Sequence, residues 1–245
     1  SISFSFTPTK PFDTIDFYVH RLSGLGSFTV DVDGSNAQVV DCSVGAVLTI
    51  QRVTVAVPYG NHTINITKIG SASLRIRGMH CYKANSEVLV INGSWNAMSA
   101  WGYLTGGVGG AEPSDGPRKD FAAIAPDRTT IGLGTNDSTL GKTVAEFKAG
   151  MQALIDLGKT TGDVQLCIPD PISYAAGTGN PNQDQYWDAI FDLGALNLIN
   201  VIDLREFPME SWDAANARGL YSDGRHALGT GQRATAKTFF KSANY

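Results

Sequence analysis

The spacing of apolar residues changes once along this chain, near Tyr82, and that change limits what the chain can fold into. Before it, Phe4/Phe6, Ile15/Phe17/Val19, Phe28/Val30/Val32, Val53/Val55/Val57, Ile64/Ile66 and Leu74/Ile76 each alternate with polar residues. A period of two is that of strands with one buried face. Ser23-Gly24, Asp33-Gly34-Ser35, Pro58-Tyr59-Gly60-Asn61 and Gly70-Ser71 read as the turns between them. Asp-Gly between alternating runs signals a hairpin, because both residues accept the left-handed backbone of a two-residue turn. Short strands at this spacing predict an all-β sandwich or jelly-roll module over residues 1–82.

After Tyr82 the runs become short and continuous, as in strands buried on both faces. Val88–Ile91, Thr129–Gly132, Val164–Ile168 and Asn200–Leu204 are the expected strands. A glycine-rich loop is expected to run through Gly110, and a helix to end at Phe121–Ala125 before Pro126. Val144–Leu157 carries Val144, Phe147, Met151, Leu154 and Ile155 at helical spacing, and Gln185–Leu193 puts Tyr186, Ile190 and Leu193 on one face. A last helix is read in Gln232–Ser242. Strands alternating with helices predict an α/β domain with a parallel sheet over residues 83–245.

Ligands of such a sheet bind outside the carboxyl ends of its strands. Asn92–Ser99 and Gly134–Asp137 both follow expected strands. The turn Asp223-Gly-Arg-His226 joins the same face if the last helix packs back onto the sheet. An Asp three residues before a His can hold one ring nitrogen, leaving the other free to take a proton from a hydroxyl. The alternatives are an ordinary surface histidine at 226 and an Asn136 that caps its own turn. Asp137 is expected to serve structure at that turn or at a helix start. Trp95 and Trp101 flank the site and could stack on sugar rings, or simply be buried there. His20, His62 and His80 match no motif and read as structural or surface residues.

The net charge of −4, with no Lys/Arg-rich run, argues against nucleic acid and anionic membrane as partners. No apolar run approaches the length of a transmembrane helix. Cys42, Cys81 and Cys167 are too widely spaced for a metal site, and at most one pair could bridge.

Several of these features together resemble the SGNH (GDSL-type) hydrolase family. Pro126-Asp-Arg-Thr-Thr-Ile-Gly-Leu-Gly-Thr-Asn-Asp137 resembles its third block, which implies an oxyanion-hole role for the Asn136 amide. Asp223-Gly-Arg-His226 resembles the fifth block and implies His226 as base and Asp223 as its orienting carboxylate. Asn92-Gly-Ser-Trp-Asn-Ala-Met-Ser99 resembles the second block, with Ala97 where the family usually has a Gly that offers a backbone N–H to the oxyanion. The resemblance covers Val88 to the C-terminus and implies a flavodoxin-like parallel sheet with helices on both faces. It implies no metal and no organic cofactor. A β-sandwich just before the second block resembles the module inserted in phage tail-spike and tail-fibre esterases, which act on bacterial surface polysaccharides.

The family's nucleophile sits in a Gly-Asp-Ser block on the strand between the second-block and third-block strands. This chain contains no Gly-Asp-Ser. Omitting a central strand leaves rows of N–H and C=O groups unpaired at roughly 1–3 kcal/mol each, against a whole-domain stability of roughly 5–15 kcal/mol. An upstream segment of the same protein, still docked or cleaved, is therefore expected to supply that strand and its Ser. Ser94 and Ser1 are the rival nucleophiles within the chain.

The function expected is a serine esterase that removes O-acetyl or other acyl groups from a bacterial surface polysaccharide, on a virion tail or a cell surface. The alternatives are a non-catalytic glycan-binding adhesin on a decayed hydrolase fold, and a lipase or thioesterase. The last would need an apolar acyl channel, whereas the loops Gly102–Gly116 and Gly177–Asp184 are rich in Gly, Pro and polar residues. The β module could bind carbohydrate, cover the site, or form the contact of a homotrimer.

Overall fold

The computed structural model describes residues 2–84, 91, 98–105, 118–169, 183–205 and 211–221, except the side chains of 36 and 118–120. The chain divides into two compact units, Ser1–Gly93 with Ala122–Ile124, and Ser94–Phe121 with Ala125–Tyr245.

The first unit holds β1 (Ser3–Phe6), β2 (Phe12–Arg21), β3 (Ser27–Val32), β4 (Ser35–Val40), β5 (Thr49–Gly60), β6 (Ile64–Ile69) and β7 (Ile76–Tyr82). They form two antiparallel sheets, ordered β1-β6-β3-β4 and β5-β2-β7. Alternation sends Ile15, Phe17 and Val19 of one sheet and Phe28, Val30, Ile64 and Ile66 of the other into one core. The Phe17 and Phe28 rings meet edge to face at 5.9 Å. The Asp33-Gly34 turn is a two-residue hairpin loop between paired Val32 and Ser35, with both residues at positive φ (57° and 73°).

Some expectations for this unit need correction. Pro58-Tyr59-Gly60 is not a turn: β5 runs through Gly60, which pairs with Phe12, and the chain reverses at 61–63. Ser-Asn-Ala-Gln-Val-Val over β4 is a strand without a clean alternation and was not expected. The last strand starts at Ile76, with Leu74 ahead of it, and Phe4 on the β1 edge is 52% exposed. None of the three cysteines forms a disulfide.

In the first unit His62 sits in the 61–63 connection between β5 and β6. Its Nδ1 lies 2.6 Å from Asp33 Oδ2 and its Nε2 2.6 Å from the Pro58 carbonyl. Asp33 Oδ1 also accepts from the Thr63 N–H. Two acceptors on two ring nitrogens are both satisfied only by the imidazolium. The Asp33 carboxylate, then the Pro58 carbonyl, accordingly raise the His62 pKa, and the ring in turn lowers that of Asp33.

The second unit contains α1 (Ala100–Thr105), β8 (Arg128–Ile131), α3 (Thr135–Thr139), α4 (Val144–Lys159), β9 (Asp163–Ile168), α5 (Gln183–Asn197), β10 (Val201–Asp203) and α6 (Trp212–Ala217); α2 (Arg118–Ile124) precedes β8. The strands form a parallel sheet ordered β10-β9-β8. α4 opens with a capping box, in which Thr143 and Glu146 satisfy each other's backbone N–H groups. Phe147, Met151, Leu154 and Ile155 of α4 and Tyr186, Ile190 and Leu193 of α5 pack with Leu166 and Ile168 in one core. Cys167, Ile202 and Leu204, on the opposite sheet face, are buried as well.

The expected strands at 129–132, 164–168 and 200–204 thus correspond to β8, β9 and β10, and the two central helices to α4 and α5. The third-block strand differs from expectation in burial. Arg128 and Thr130 are exposed, and β8 is an edge strand among the described residues. The glycine-rich stretch is not all loop, because Ala100–Thr105 is helical. α6 was not expected at all. Of Val88–Ile91 only Ile91 falls within the described residues, and the helix at Gln232–Ser242 lies outside them.

Candidate functional site

β8 ends at Ile131, and Gly132-Leu-Gly134 leads directly into α3. Gly134 makes that corner at φ 127°, a backbone that a side chain would strain. The turn delivers Asn136 and Asp137 into the first turn of α3, at the carboxyl end of the sheet.

Both side chains grip the same remote stretch. Asn136 is half-buried, and its Nδ2 donates to the Met98 carbonyl at 2.9 Å. Asp137 is fully buried, and its carboxylate accepts from the N–H groups of Ala100 at 2.8 Å and Trp101 at 3.1 Å. Ser99 Oγ accepts from the Gly102 N–H at 2.8 Å and caps the same helix. Burial pushes the Asp137 carboxyl upward, while the Ala100 and Trp101 N–H groups pull against it.

α1 is seated from below by α4. A Cβ on Gly150 would lie 2.3 Å from the Ala100 carbonyl group, so only Gly permits this approach. Met98, Ala100 and Tyr103 then join the core beside Phe147 and Met151. Trp101 stays half-buried, with the Lys142 Nζ 6.0 Å from its ring. The Tyr186 hydroxyl donates to the Lys142 carbonyl, and its ring meets Phe147 edge to face at 5.1 Å.

Among the residues expected at the site, the structure therefore brings Asn136 and Trp101 to one corner. His226, Asp223, Ala97, Trp95 and Ser94 lie outside the described residues. Asp137 serves structure, as expected, but across 37 residues of sequence rather than in its own turn. Sequence reasoning missed a second fixed group at this end of the sheet. Arg205, just past β10, holds Asp203 through its Nε at 2.8 Å and Nη2 at 2.7 Å. Its guanidinium lies 4.7 Å from the Trp187 ring centroid and 5.7 Å from that of Phe191. An Asp and an Arg two apart at a strand end were the available signal.

The corner offers a half-buried amide with one N–H committed to Met98 and a second N–H that meets no acceptor among the described residues. It also holds the backbone that follows the 92–97 stretch in a fixed position. Such preorganised donors can stabilise negative charge that develops on a substrate oxygen.

No family model matches the chain, and no curated protein matches it. Solved structures of GDSL-type and carbohydrate esterases are similar to it. A member of the lipolytic G-D-S-L family from Veillonella parvula is 18% identical over 51% of this chain and 69% of its own, with a TM-score of 0.43. An acetylxylan esterase from Geobacillus stearothermophilus is 17% identical over 52% of this chain, with a TM-score of 0.42. This chain covers 64% of that enzyme, less than two thirds of its length. A family two carbohydrate esterase from Clostridium thermocellum, solved with cellohexaose, is 14% identical over 99% of this chain and 91% of its own, with a TM-score of 0.42.

Proposed function

We propose that the protein is a serine esterase that removes O-acetyl or other acyl groups from a bacterial surface polysaccharide. The observation that carries this reading is the meeting of Asn136 and Asp137 with residues 98–101 at the carboxyl end of β8. Two stretches read separately as parts of an oxyanion-binding corner are held together there. In the reaction, a serine hydroxyl adds to the acyl carbonyl while His226 takes its proton and Asp223 steadies the ring. The oxyanion is stabilised by the Asn136 amide and the backbone N–H near Ala97. Collapse expels the sugar alkoxide, which His226 protonates, and water then hydrolyses the acyl-enzyme by the same route. On this reading Trp101, and with it Trp95, would stack on the sugar rings.

The serine belongs, on this reading, to a segment upstream of Ser1 whose strand pairs with β8. The phase of the β8–β9 ladder supports an opening there. Asp163 N–H donates to the Asp127 carbonyl at 2.9 Å. In a parallel ladder each residue turns both backbone groups to one neighbour, and alternate residues to the other. Thr130 therefore turns its N–H and C=O away from β9, and it is exposed. A protein of this kind would work on a virion tail or cell surface, with the β module as its carbohydrate-binding, covering or trimer-forming part.

Hydrolysis of p-nitrophenyl acetate tests the reading, using the full-length protein, its His226→Ala variant and this chain alone. Turnover in the full-length protein only, lost in the variant, is the expected result. Turnover by this chain alone would move the nucleophile to Ser94. Glycan binding with no turnover in any of the three would identify an adhesin instead.

A further inference from the structure

We propose that Asp137 is the positioning residue of this site: its buried carboxylate holds residues 98–101 so that the Asn136 amide points one N–H outward, toward the substrate oxygen. The inference rests on the reading of Asn136 as an oxyanion donor and adds the group that aims it.

Burying a carboxylate is costly, and here it is offset by backbone N–H groups, those of Ala100 and Trp101 foremost. A helix of six residues gains too little from a cap to require a full charge, and Ser99 already supplies one. What the charge adds is rigidity across a long sequence gap. Consecutive residues 136 and 137 hold Met98, Ala100 and Trp101, so the amide and the carboxylate clamp one turn from adjacent positions. Neutralising the carboxylate releases the turn, moves the Met98 carbonyl and leaves the Asn136 amide without its anchor. Among the described residues, the titratable groups facing Asp137 are Lys142, whose charge favours the carboxylate, and the Tyr186 phenol on α5, whose ionisation Asp137 opposes. α1 presents only backbone N–H groups to it.

The test is an NMR titration of the full-length protein that follows the Asp137 carboxyl carbon, the Asn136 side-chain amide and the Ala100 and Trp101 backbone amides. The expected result is one shared midpoint above the ordinary Asp value of about 3.9. Asp137→Asn should abolish that step and speed amide exchange at 100 and 101 by about 10-fold, one tenfold step being 1.4 kcal/mol. An Asn136 amide that stays still while Asp137 titrates overturns the proposal, and the wild-type titration alone decides this if the variant does not fold. In the full-length protein, Asp137→Asn should lower kcat by about 10-fold with KM unchanged, less than the 10²–10³ of losing an oxyanion donor itself. An inactive full-length protein with the shared titration intact would refute the esterase reading and leave the clamp standing. Activity without the shared titration would refute the clamp alone.

Discussion

His62 shows how a single side chain can tie together two turns that are distant in sequence. Its ring bridges the Asp33 carboxylate and the Pro58 carbonyl, while Phe12 packs against it at 5.2 Å between centroids. A histidine whose folded pKa is raised adds stability that is fully present below its unfolded value, about 6.5, and is lost as pH rises through the folded value. A carboxyl whose folded pKa is lowered adds stability present above about 3.9 and lost as pH falls through its folded value. The pair should therefore stabilise the β unit most in mildly acid solution. Urea midpoints of wild type and His62→Ala, measured across pH, should differ most in that window and converge at alkaline pH. A difference independent of pH would mean that His62 acts by packing alone. Asp137 works differently at the same scale. Its charge is buried and its partners are backbone groups, so its effect is geometric.

Among the elements, α1 depends most on others. Ala-Trp-Gly-Tyr-Leu-Thr is short and carries a central Gly, and six residues cannot nucleate a stable helix alone. Asp137, Ser99 and the floor provided by Gly150 hold it. Gly150→Ala should push a methyl into the Ala100 carbonyl and cost about 1–3 kcal/mol, the usual range for overpacking. Thermal unfolding would show this, and an unchanged Tm would mean that α1 does not rest on α4. The same dependence explains which elements the sequence reveals. α4 is legible because Phe147, Met151, Leu154 and Ile155 fall on one face and Thr143 with Glu146 starts the helix. The Asp33-Gly34 hairpin is legible because its turn chemistry is local. α1 is hidden because, apart from the adjacent Ser99, the side chain that caps it lies 37 residues away. β4 is hidden because its buried Val40 shares a face with the polar Gln38, while the apolar Ala37 and Val39 lie on the exposed face. Pro58-Tyr59-Gly60 misleads because a Pro-Gly pair usually marks a turn, whereas here it ends a long strand whose partner is Phe12.

For the whole molecule, the change of apolar period near Tyr82 separates two kinds of core. One is filled from two antiparallel sheets, the other from helices on a parallel sheet. That much follows from periodicity, because each core needs one buried face per element. The candidate site is only partly legible for a related reason. Asn136 stands in a recognisable block, but the residues it meets, Met98 and its neighbours, are placed by tertiary hydrogen bonds that no local pattern encodes. The central claim is that this chain supplies the base and the oxyanion corner of an esterase whose serine comes from an upstream strand against β8. The most direct measurement is fluorophosphonate labelling of the full-length protein, followed by mapping of the modified residue by mass spectrometry. The account predicts one labelled serine, in sequence preceding Ser1, and no labelling after His226→Ala. Label on Ser94, or none in a protein that is folded and glycan-binding, would contradict it.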